Sequence, residues 1–143
     1  MRLALLLCAL APLAATGCGG DDGDGGAPAR LSQPITFEVI GGDAFRDDEI
    51  TVRADGSARV KTRAGERTAE LEPGELEDLA RGLAQADLAT AESAVTDPPQ
   101  PDALGYRFTY RGRQVTTDSG ALPQRLEPLI GTFVALIDDY GPS

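Results

Sequence analysis

Side chains able to do chemistry are scarce in this sequence, and the scarcity itself is informative. Among 143 residues there is no histidine, and both cysteines, Cys8 and Cys18, fall within the first twenty positions. Imidazole and thiolate are the commonest general base, zinc ligand and nucleophile, so Ser-His-Asp, Cys-His and two-histidine metal chemistry are excluded beyond position 18. What remains is carboxylates, hydroxyls and a single lysine, Lys61. The densest carboxylates are Asp47-Asp48-Glu49 and Asp138-Asp139. Such groups hold a metal ion or move protons only where a fold sets them at a defined distance. Nothing in their spacing does so, and as solvated loop and helix-end charges they imply neither metal nor cofactor. A chain of this makeup is expected to act through its surface, as a binding protein and not as an enzyme.

Cys18 is the one residue whose setting suggests a definite reaction. Met1-Arg2 is a short positive start, Leu3 to Leu13 is an apolar run too short to span a bilayer permanently, and Ala14, Ala15, Thr16 and Gly17 are small. The order Ala15-Thr16-Gly17-Cys18 resembles a lipobox, where bacterial lipoproteins are acylated on cysteine and then cut; Ala15 stands where Leu is commonest. Residues 1 to 17 are accordingly predicted to be a lipoprotein signal peptide and Cys18 the lipidated first residue of an extracytoplasmic, membrane-anchored product. An ordinary secretory signal cut near Gly17 is the competing expectation.

Residues 19 to 30, GGDDGDGGAPAR, lack any large apolar side chain to offset the entropy of ordering. With Cys18 and Leu31 they are predicted to form a flexible acidic tether, residues 18 to 31. Asp21, Asp22 and Asp24 lack the further ligands of a calcium loop. About 110 residues then remain for one domain, predicted over 32 to 140, large enough to bury a core without a disulfide. The formal charge of -10 becomes about -11 once Arg2 is removed, which disfavours nucleic acid and anionic lipid headgroups as partners and suits solubility or a basic partner.

Hydrophobic periodicity sets out the elements meant to position any surface site. Ile35, Phe37 and Val39 alternate with Thr36, Glu38 and Ile40 in a half-buried strand that Gly41-Gly42 ends. Asp43 to Asp48 is predicted as loop. Ile50 and Val52 lead through Asp55-Gly56 to Ala58 and Val60, a tight hairpin, and Ala64-Gly65-Glu66 turns the chain toward a fourth strand over Arg67 to Leu71. Pro73 opens a helix to about Ala86 with Leu76, Leu79, Ala80 and Leu83 on one stripe. Prolines break residues 96 to 102. Leu104, Tyr106, Phe108 and Tyr110 then face one way on a strand, Gly112 turns it, and Gln114 to Thr117 returns. A last helix is expected from near Asp118 or Ser119, with Pro128 either separating off its first turn or bending it. The fold class is α+β: an antiparallel β-sheet of hairpins packed on one face by two α-helices.

Two surface features stand out against this framework. Phe45 lies between two glycines and a run of acids with no periodicity to bury it, the usual setting of an interface anchor, unless it caps the sheet as a satellite core contact. Arg107, Thr109 and Arg111 line the outward side of a strand, as an anion-binding row or as soluble surface, while Tyr106 and Tyr110 are expected in the core.

The succession Ile35-Thr36-Phe37-Glu38, Gly41-Gly42, the Asp55-Gly56 hairpin, Leu76 and Leu79 on a helix, Pro101-Asp102, Tyr106, Leu122-Pro123 and Pro128-Leu129 resembles emfourin, the protealysin-inhibitor family, over residues 33 to 137. The chain departs from that pattern by inserting Asp43-Ala44 before Phe45. The resemblance implies a domain that binds a thermolysin-like zinc metallopeptidase. Phe45 would fill the apolar pocket beside the scissile bond, with Ala44 as its small neighbour and Asp43 or Asp47 offering a carboxylate toward the enzyme's zinc. The rival expectation is a lipoprotein domain that recognises an envelope component or assists assembly.

Overall fold

The computed structural model describes residues 30–98 and 100–143, so the predicted signal peptide, Cys18 and nearly all of the predicted tether lie outside the described residues. Nine elements follow in order: β1 (Ile35–Gly41), β2 (Arg46–Val52), β3 (Ser57–Thr62), β4 (Gly65–Glu70), α1 (Pro73–Ala86), β5 (Leu104–Tyr110), β6 (Arg113–Asp118), a 3-10 turn (Gln124–Leu126) and α2 (Glu127–Tyr140). The six strands form one antiparallel sheet in the order β4-β3-β2-β1-β5-β6. Helix α1 separates the first four strands in sequence from the last two, which is how β5 comes to lie beside β1. The fold is α+β, with both helices packed against the sheet.

Alternation decides which face of the sheet is covered. Ile35, Phe37, Val39, Ile50, Val52, Ala58, Val60, Phe108 and Val115 are buried toward the helices, where Leu79, Leu83, Leu129, Phe133 and Ile137 meet them. Phe37 is the centre of this layer, its ring 4.9 Å from that of Phe108 and 4.8 Å from that of Phe133 on α2. Rings at such separations add to the area they bury, and truncating one costs about 3 kcal/mol or more. The opposite face stays open and polar: Thr36 and Thr51 share a 2.9 Å hydrogen bond, and Arg107 donates to Glu38 at 2.7 Å.

Four expectations are corrected. Asp47 and Asp48 are not loop residues, because β2 begins at Arg46 and carries the strand alternation back through the acids. The last helix does not start near Asp118 or Ser119. Asp118 ends β6, and α2 begins at Glu127 with Pro128 in its first turn, where a missing amide hydrogen costs nothing. Leu31, assigned to the tether, is 5% exposed and belongs to the core. Finally, β4 spans Gly65–Glu70, earlier than expected. Helix α1, by contrast, occupies 73 to 86 as predicted, its start fixed by Glu72 and Glu75 in a reciprocal capping box.

Candidate functional site at the β1–β2 tip

The loop Gly42-Asp43-Ala44-Phe45 joins β1 to β2 by a turn in which the Phe45 amide donates to the Gly42 carbonyl at 2.9 Å. Its stem is pressed against the start of β5. The Gly42 amide donates to the Ala103 carbonyl at 3.2 Å, and a Cβ on Gly42 would sit 2.7 Å from Leu104 Cδ2. With φ of 91° and 69°, Gly41 and Gly42 also hold a conformation that side chains rarely adopt. The pair is thus explained by close approach as well as by the turn.

Phe45 closes the loop at φ 49°, a left-handed position where glycine or asparagine ordinarily sits. A bulky residue there costs on the order of 1 kcal/mol. The residue is nevertheless 69% exposed, so the satellite-core alternative does not hold and little burial offsets the strain. The Arg63 guanidinium, from the turn between β3 and β4, lies 5.9 Å from the ring centroid and covers one side. Asp43 and Ala44 are exposed beside Phe45, and Asp47 is exposed two residues further, at the start of β2. Neither Asp43 nor Asp47 makes a side-chain hydrogen bond among the described residues, so both carboxylates are available to a partner.

Below the tip the structure brings together the two acidic groups that the sequence left apart. Arg46 Nε donates to Asp48 at 2.6 Å, and its Nη2 reaches Asp138 near the end of α2 at 3.3 Å. Burial works against the Arg46 charge, but the hydrogen bond and proximity of Asp48, and then Asp138, outweigh it and raise the arginine's pKa. Arg46 is therefore a clasp between sheet and helix immediately after Phe45. Asp48, only 9% exposed, was missed because a charged residue disguised the inward side of a strand. The usable signal was its spacing of two from Ile50 and four from Val52. Among the described residues no three His, Cys, Asp or Glu side chains converge to hold a metal ion.

Beside the tip, on the open face, lies a groove of about 430 Å³ between the sheet and the proline-rich segment, with Ile40, Val95 and Ala103 on its walls. Ile40 and Val95 are 41% and 58% exposed; with Phe45 they are the exposed large hydrophobics of the described chain. One side of the groove is pinned by Asp118, which accepts from the Thr96 hydroxyl at 2.7 Å and from the Thr96, Gly120 and Ala121 amides at 2.6, 2.9 and 2.9 Å. The Thr96 contacts, and after them those amides, hold its carboxyl below the ordinary carboxylate range against the opposing pull of desolvation. Sequence alone could not have paired two residues so far apart. Elsewhere the residues that offered either an anion-binding row or soluble surface do not form a row: Arg107 is paired with Glu38, and Arg111 has left the strand for the next turn. Tyr106 is buried and Tyr110 partly so.

No family model and no curated protein matches this chain. Among the described residues no helix is long and apolar enough to cross a membrane.

Proposed function

We propose that this chain is a membrane-anchored binding protein that presents Phe45 to a partner, and that the partner is a thermolysin-like zinc metallopeptidase whose cleft the tip occupies. The observation that carries the proposal is the exposed, left-handed Phe45. A strained residue that buries little in its own fold is best accounted for by burial elsewhere. The tip is also prepared for binding, since Gly42, the Arg46 clasp and the Arg63 contact hold it before any partner arrives, which lowers the ordering cost of association. Asp43 and Asp47 supply unengaged carboxylates near the ring, as approach to a zinc ion requires, and Ala44 leaves room for a narrow cleft. Cys18, through its acyl group, would keep the domain on the outer side of the membrane.

Titration of the mature protein against several thermolysin-like peptidases tests this. The expected result is loss of peptidase activity at near-stoichiometric ratio, with Phe45→Ala abolishing it while the domain still melts cooperatively. Unchanged activity across all enzymes would reject the peptidase. A second reading, recognition of an extended envelope component, is favoured by the apolar groove beside the tip. On that reading Val95→Asp weakens binding to isolated envelopes and Phe45→Ala matters less.

A further inference from the structure

One corner of the sheet end opposite Phe45, at the β5–β6 turn, is basic, while Asp55, Glu70 and Glu72 lie along the same end toward β4. Arg30, Arg111 and Arg113 line a recess of about 320 Å³ with Leu31 and Leu83 in its walls and one acid, Asp87. All three arginines are exposed, and among the described residues none makes an ion pair. Arg111 Nη2 donates to Ser32 Oγ at 2.6 Å and its guanidinium lies 5.1 Å from the Tyr110 ring centroid; Arg113 Nη2 donates to the Ala91 carbonyl at 3.1 Å. Those hydrogen-bond partners are neutral, and among the described residues the recess is lined by one carboxylate against three guanidinium groups. Arg111 is also the first residue of a two-residue hairpin turn, with φ 50° before Gly112 at 74°. That turn type favours Asn-Gly or Gly-Gly, and an arginine there needs a reason.

Position supplies one. Strand β1 runs from Ile35, paired with Tyr110, to Gly41, paired with Arg46, so the arginine end and the Phe45 end stand about 20 Å apart along it. Arg30 is also where the chain enters the domain, and residues 19 to 29 separate it from Cys18. So short a connection in sequence keeps the arginines close to whatever Cys18 is fixed in.

Resting on the reading of Cys18 as lipidated, we infer that this recess docks on the headgroups of anionic phospholipids and so holds the domain upright, with Phe45 turned away from the bilayer. Much of the chain's negative charge lies away from this corner. At physiological salt, fields are screened within about 8 Å, so the acids around Asp43, Asp47 and Asp138 do not act there, while Asp87 in the recess and Asp55, Glu70 and Glu72 along the same end oppose docking and restrict it to the corner that the arginines occupy. Each arginine near an anionic leaflet is worth about fivefold in population, so losing two lowers the docked fraction relative to the undocked by about 25-fold.

The test uses the mature acylated protein purified from membranes, with Ala44→Cys as its sole free thiol carrying a fluorescent donor and with acceptors on lipid headgroups. Vesicles are phosphatidylcholine alone or phosphatidylcholine with phosphatidylglycerol. Energy transfer is expected to fall when phosphatidylglycerol is present, because the tip is held farther out, and to return at about 1 M salt, where screening shortens to ~3 Å. Arg111→Gln with Arg113→Gln removes the difference, the paired lysine substitutions keep it, and Lys61→Gln, toward the far end on β3, leaves it unchanged. Equal transfer on both lipids, with the protein retained on both, would overturn the docking inference alone. Failure to bind neutral vesicles would overturn the anchor, and the docking with it, because three arginines do not hold so acidic a chain on their own.

Discussion

Two turns at opposite ends of one sheet each place a large side chain in a left-handed conformation, and they differ in what that side chain does next. At the β1–β2 tip, Phe45 stands 69% exposed with an arginine on one side of its ring. At the β5–β6 turn, Arg111 folds back onto Tyr110 and Ser32 and widens a basic recess. In both cases the backbone would be more comfortable with glycine. The lesson is that left-handed side-chain residues sit at exposed corners, these two and Asp87 at the end of α1, where it caps the helix, while the covered face follows ordinary alternation. Phe45 and Arg111 differ from Asp87 in having no helix end to cap.

Breaking the comparison begins with Phe45→Ala. Truncating an anchor of this kind typically costs 2 kcal/mol or more in affinity, so inhibition of a susceptible peptidase is expected to weaken by about 30-fold or more in a titration, with little change in melting temperature. Arg46→Ala acts on what supports the tip. It leaves the buried Asp48 carboxylate without its cation, and unfolding by urea is expected to show a loss of about 2 kcal/mol. The same variant is expected to speed amide exchange around residues 43 to 47.

Phe45→Gly and Arg111→Gly sharpen the comparison because they separate strain from use. Each relieves a left-handed side chain and is expected to raise stability by up to about 1 kcal/mol in denaturant unfolding. Only the first abolishes peptidase binding, and only the second weakens the lipid response. A drop in stability with either one would show that the side chain is held by contacts stronger than those seen. The smallest effect concerns Asp118 beside the groove. Its folded pKa is depressed, so its contribution is fully present above the unfolded value near 3.9 and fades as pH falls through the folded one. Acidification below about pH 4 is therefore expected to loosen the Thr96 amide, followed by hydrogen exchange, and Asp118→Asn to remove most of that dependence.

How much of this was legible in the sequence follows from the range over which each feature is determined. Helix α1 was readable because Pro73, Glu75 and the leucine spacing are local signals that agree. The tight hairpin at Asp55-Gly56 was readable for the same reason. Strand β2 was cut short because Arg46, Asp47 and Asp48 look like solvent, although Asp48 keeps the phase of Ile50 and Val52 and its charge is answered by Arg46. The start of α2 was misplaced because Asp118 resembles a helix cap; its partners Thr96, Gly120 and Ala121 include one from across the proline-rich segment. Pro128 held the correct boundary, since proline is welcome in the first turn of a helix and nowhere deeper. For the candidate site, the exposure of Phe45 was foreseeable from its flanking glycines and acids. Its left-handed backbone and the arginine clasp beneath it depended on pairings that only the folded chain creates.

The two borders of the sheet are treated differently. Along β6, the chain meets the rim at one bridge, where the Ala94 amide donates to the Thr116 carbonyl and the Thr116 amide to Ser93 Oγ, so that rim is interrupted near its end. Along β4, the rim is bare but carries Glu66, Arg67, Thr68 and Glu70, and charged rims resist the addition of further strands. A second copy that approaches either rim therefore meets an interruption or a row of charges and not a long unbroken ladder.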